Sequence, residues 1–139
     1  MNRPNGIQAL VIGFFAVALA GLVAILAVAP GVYDRTLELK AGSHLPVEIA
    51  FVAALTGFLA LLSVGVLRRW RWTFWLILVA FLAGVVRVPV TILQLTGTLT
   101  AAGPTWYVVL QGVIGLVQVA IGLVMLQAWR RAGVWGVRR

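Results

Sequence analysis

Cysteine is absent from the 139 residues, histidine occurs once, and three acids stand against eleven lysines and arginines. The first absence excludes disulfides, thiol redox chemistry, iron–sulfur clusters and thiolate zinc sites. A single histidine excludes two-histidine haem ligation within the chain, and no Glu-x-x-His or His-x-x-x-His spacing sets metal ligands on one helix face. No G-x-S-x-G elbow, P-loop or dinucleotide fingerprint occurs. We therefore expect no cofactor and no metal, and no motif assigns an enzymatic class.

Charge is scarce as well. Charged residues make up 10% of the chain and hydrophobic ones 63%, with a mean hydropathy of +1.08. Such a chain lacks the polar surface that a water-soluble core needs and belongs to the membrane class. Its length holds four spanning helices of about 20 residues and leaves no room for a separate soluble domain. The net charge of +8 would suggest nucleic acid in a soluble protein. Here the basic residues gather at the ends of apolar runs, where they set topology and meet anionic lipid headgroups, and none forms a face able to track a phosphate backbone. No nucleic-acid partner is expected.

Four apolar runs read as spans at residues 7–29, 46–67, 73–98 and 106–129. The first exceeds the roughly 7–15 residues of a signal-peptide core and ends at Pro30-Gly31, so it is read as a span rather than a cleaved leader. The second opens on Pro46, a favoured first helical residue. The fourth is bounded by Trp106 and Trp129, as interfacial aromatic belts are. Residues 30–45 form the one sizeable connection, carrying Asp34, Glu38, Lys40 and His44. Residues 68–72 are a basic loop, and the tail 130–139 is basic and aromatic, suited to lie at the headgroups. Arg3, the three arginines at 68–71 and the four of the tail contrast with one arginine, one lysine and two acids in the other connections. The bias places both termini in the cytoplasm. The expected architecture is all-α: a four-helix transmembrane bundle with antiparallel up-down order, in a cytoplasmic membrane of bacterial type.

Within the spans, small and polar residues recur at helical spacing. Gly13, Ala16, Ala20, Ala24 and Ala27 form a stripe that lets another helix approach closely, and Gln111, Gly115, Gln118 and Gly122 form a mixed stripe suited to helix contact in lipid. Gln8, at the edge of the first span, is expected to reach headgroups or water. Glu48, Thr56 and Ser63 share one face of the second span, expected to point into the bundle. Arg87, Thr91, Gln94 and Thr98 line one face of the third, and Pro89 predicts a kink beside Arg87 by clashing with the carbonyl of Val85.

Arg87 is the decisive residue. It lies about 21 Å along its helix from Thr73, in the outer half of a hydrocarbon layer about 30 Å thick. A guanidinium there costs about 2.5–3.5 kcal/mol on insertion scales, so a partner is expected. Glu48 is the one acid inside a span, which suggests a Glu48–Arg87 pair lined by Thr91, Gln94, Tyr107 and Gln111 as a ligand-binding site. Three functions fit, in this order. The first is a binding or accessory membrane protein that packs against itself, as a homo-oligomer, or against a larger membrane complex. A small transporter or channel subunit for an anionic or amphiphilic solute comes second. The third is an intramembrane enzyme with Glu48 or Asp34 as acid/base.

Overall fold

The computed structural model describes residues 5–29, 31–32, 45–101 and 103–136, all helix or short connection among the described residues. In chain order come α1 (Gly6–Val28), α2 (Leu45–Leu67), α3 (Arg71–Ala83), a three-residue 3₁₀ turn (Gly84–Val86), α4 (Arg87–Leu95), α5 (Thr105–Ala132) and a second 3₁₀ turn (Val134–Gly136). α3 and α4 form one helical rod, Arg71–Leu95, so that four helices are long and apolar enough to cross a membrane. The connection 33–44, with Asp34, Glu38, Lys40 and His44, lies outside the described residues.

Neighbours in sequence pack as two hairpins. α1 lies against α2, and the α3–α4 rod lies against α5. The hairpins are joined at one end, called basal here, which holds Asn5, Leu67, Arg71 and Trp135; the ends near Val28, Leu45, Leu95 and Thr105 are distal. The hydrophobic core that links all the helices is basal: Val11 and Phe15 of α1, Leu62 and Val66 of α2, Phe74, Ile77, Leu78 and Phe81 of α3, and Ile121 and Met125 of α5, closed by Trp135. Phe81 meets Phe14 and Phe15 edge-on, with ring centroids 5.0 and 6.2 Å apart. Such ring pairs add about 0.5–1.5 kcal/mol to the contact.

Polar groups seal this end. Asn5 caps α1 by accepting from the Gln8 backbone N–H at 3.1 Å, while Gln8 Oε1 accepts from the Asn5 N–H at 3.1 Å, a reciprocal capping box. Gln8 also donates from Nε2 to the carbonyl of Val66 at 2.6 Å. Gln8 is therefore fully buried rather than turned to headgroups, because the Val66 carbonyl near the end of α2, which also accepts from the Arg69 N–H at 3.1 Å, takes its amide.

The tail also differs from expectation. Gly133, at φ 82°, turns the chain back after α5, and Trp135 tucks beneath the bundle at 1% exposure instead of lying at a lipid surface. Its indole N–H donates to the carbonyl of Trp70 at 3.2 Å, and its ring meets Phe74 edge-on at 5.2 Å. Trp135 holds φ 61°, a left-handed conformation that a bulky residue adopts only when its surroundings impose it.

The stripes divide in the same way. Gly13, Ala16, Ala20, Ala24 and Ala27 are all exposed, and an added methyl at Gly13 would meet nothing within 4 Å. Among the described residues, nothing packs against Gly13. Gly115 and Gly122, by contrast, face the third rod: a methyl at Gly115 would come within 2.9 Å of Arg87 Cβ and 3.0 Å of the Gly84 carbonyl, and one at Gly122 within 3.1 Å of Leu82.

Candidate functional site

The break in the third rod sets the geometry of Arg87. Pro89 has no amide hydrogen, and its ring crowds the carbonyl four residues back, that of Val85. Over Gly84–Val86 the helix tightens to 3₁₀, and the Arg87 N–H bonds the carbonyl of Gly84 three residues behind it. Gly84 lets the rod press on α5 at this point, since a methyl there would meet Gln118 Oε1 at 3.0 Å and the Gly115 carbonyl at 3.3 Å. One turn beyond Arg87, buried Thr91 packs its methyl and hydroxyl against Gly112. Gly84, Gly112 and Gly115 thus form a close seam between the rod and α5.

From this seam Arg87 reaches sideways and outward. Its Cβ lies against Gly115, and its Nη1 donates to Oε1 of Gln111 at 2.7 Å, one turn of α5 nearer the distal end. The residue as a whole is exposed. Tyr107 stands a further turn along the same face, half-buried, with its ring beside Gly103 and edge-on to Trp106 at 5.9 Å. Arg87, Gln111 and Tyr107 therefore rise along one line from mid-rod to the distal end.

Not every expected residue joins that line. The partner the structure gives Arg87 is Gln111, in place of Glu48. Glu48 is 2% exposed on α2, the helix that packs against α1, while Arg87 belongs to the hairpin of the third rod and α5. The hydroxyls on the Glu48 face bond within their own helix, Thr56 to the carbonyl of Val52 and Ser63 to that of Leu59, both at 2.8 Å. Gln94 serves the turn beyond α4, donating to the Thr100 carbonyl at 3.3 Å, and Thr98 pairs with Thr96 at 3.2 Å between hydroxyls. Thr91 faces the seam. Asp34, the alternative acid, lies outside the described residues.

Gln118 is half-buried beside the seam. Its Oε1 is enclosed against Gly84 and has no hydrogen-bond partner among the described residues. No group of three metal-ligating side chains occurs among the described residues. No protein-family model, curated protein or solved structure matches the chain.

Proposed function

We propose that the chain is an integral membrane protein of the binding or accessory kind, whose functional site is the Arg87–Gln111 pair. The four long apolar helices support membrane residence. The clustering of arginines at the basal connections supports a basal end in the cytoplasm, with N- and C-terminal segments inside and the distal ends outside.

One observation carries the functional reading: a guanidinium stands exposed in a rod apolar enough to span a bilayer, held by a neutral amide at 2.7 Å. A charge at such depth costs several kcal/mol unless something compensates it. Packing alone needs no arginine there, since Gly84, Gly112 and Gly115 already bring the rod and α5 together. The residue is better explained by what it meets outside the chain.

Two measurements test the reading. Native mass spectrometry of the protein solubilised gently from its membrane reports bound mass and subunit count in the wild type and in Arg87→Gln. A mass or subunit lost with the arginine supports a binding role, and identical spectra refute it. Liposomes containing the protein report anion flux. An Arg87-dependent flux would replace the accessory reading with a transporter.

A further inference from the structure

We infer that Arg87 and Gln111 hold the phosphate of a membrane phospholipid belonging to the leaflet that meets the distal ends of α4 and α5. This rests on the binding role proposed for the same pair and adds the chemistry of what is bound.

The donor set identifies the ligand class. Arginine offers five N–H donors in a planar fork and accepts nothing. Because Nη1 of Arg87 can only donate, the amide beside it must present Oε1, which turns Nε2 of Gln111, with its two N–H groups, to the other side of the amide. With one lone pair of that oxygen taken by Nη1, the groups the pair has left to offer are mainly donors. An acceptor-only group with several oxygens matches it, and a phosphodiester has that form with the bidentate geometry guanidinium favours. Among the described residues the one acid is Glu48, 2% exposed on α2, and the hydrogen-bond partner of Arg87 is the neutral amide of Gln111.

The direction of the side chain favours a lipid as the carrier of that phosphate. Helical side chains ordinarily lean toward the N-terminus of their helix, which for α4 is the basal direction. Arg87 leans the opposite way, from the level of Gly115 to that of Gln111. Gln111 stands about 9 Å below Thr105, at about 1.5 Å per residue. The bilayer adds about 5–8 Å of headgroup layer to each side of its hydrocarbon core, so a phosphate reaches this level by sinking a few ångström beside the helix, as bilayers do around buried arginine. Half-exposed Trp106 and its neighbour Tyr107 mark the interfacial level on the way, and exposed Val85, Val86, Val109 and Val113 offer apolar surface to the acyl chains.

The test uses the purified full-length chain in detergent, titrated in native mass spectrometry with phosphatidylglycerol, phosphatidylcholine and diacylglycerol of matched acyl chains, with inorganic phosphate as competitor. The wild type is expected to retain one phospholipid of either headgroup over diacylglycerol, undisplaced by inorganic phosphate. Hydrogen bonds to a charged group imply a loss of affinity of about ten- to a hundredfold in Arg87→Gln. Arg87→Lys should lose less, Gln111→Leu should also weaken binding, and Arg130→Gln with Arg131→Gln should change nothing at this site. Gln111→Leu keeps the test decisive if Arg87→Gln fails to fold. Equal retention of diacylglycerol, full displacement by inorganic phosphate, unchanged binding in both site variants, or a change of subunit count in place of lipid would each overturn the inference. An Arg87-dependent ligand without phosphate overturns this inference alone. The absence of any Arg87-dependent mass or assembly overturns the binding role with it.

Discussion

The side-chain amide of Asn5 donates to the backbone carbonyl of Trp135 at 2.5 Å, joining residues 130 positions apart. With the Trp70 carbonyl accepting from the indole of the same tryptophan, three separate segments meet at one residue. The basal end is closed by the tail, not merely flanked by it.

Trp135→Ala should therefore lower stability by about 3–5 kcal/mol, the usual cost of emptying a buried aromatic site. Thermal unfolding in detergent measures it. A shift no larger than that of an exposed Trp129→Ala control would show that the tail is not anchored.

At the turn between α2 and α3, a methyl on Gly65 would collide with the Thr73 side chain, which is fully buried and whose hydroxyl has no hydrogen-bond partner among the described residues. Gly65→Ala should cost about 1–3 kcal/mol through overpacking. Thr73→Ala alone should cost about 1 kcal/mol, for the buried methyl it removes together with an unbonded hydroxyl. The double variant should recover most of the Gly65→Ala loss, and simple additivity in the cycle would refute the contact.

Two glycines of similar appearance should behave in opposite ways. Gly115→Ala presses on the backbone carbonyl of Gly84 and on Arg87 Cβ, so it should destabilise by about 1–3 kcal/mol and loosen the Arg87–Gln111 bond. Gly13→Ala meets open space and gains helix propensity, so the monomer should be unchanged or firmer by up to about 1 kcal/mol. Denaturant titration separates the two. A Gly13→Ala variant that unfolds normally but changes subunit count would show that the α1 stripe serves a second chain.

Gln8→Leu should cost about 1–3 kcal/mol, because it removes one of the two hydrogen bonds to the Val66 carbonyl and opens the capping box together. Asn5→Ala, which removes both the cap and the bond to the Trp135 carbonyl, should cost about 1–3 kcal/mol. Unfolding of both against the wild type measures the two losses.

The lack of cysteine makes the proposed orientation easy to measure. Thr98→Cys should react with an impermeant maleimide added outside intact cells, and Arg130→Cys only after permeabilisation. The reverse pattern would invert the topology.

The four helices were legible because hydropathy and length alone determine them: the expected 7–29, 46–67, 73–98 and 106–129 fall within a few residues of Gly6–Val28, Leu45–Leu67, Arg71–Leu95 and Thr105–Ala132. The break beside Arg87 was legible because proline acts on its own helix. What periodicity could not supply was the identity of the neighbour. It placed Glu48 and Arg87 at one depth without revealing that their helices belong to different hairpins, and it marked the α1 stripe without showing that its methyl-sized faces look away from the chain. Gln8 and Trp135 were misplaced for a related reason. A polar or aromatic residue at the end of an apolar run is interfacial by default, and only the distant carbonyls of Val66 and Trp70 draw these two inward. Gly84 and Gly112 escaped notice although their spacing from Pro89 and Gly115 was available; the signal was glycine beside a predicted kink.

The basal closure also orders events during synthesis. Asn5, Trp70 and Trp135 leave the ribosome in that sequence, and the bonds that unite them form only when the last has emerged. Until then this closure is missing, and the basal core of α1, α2, α3 and α5 brings the two hairpins together without it. A chain stalled before Trp135 would leave the Asn5 amide and the Trp70 carbonyl without this partner.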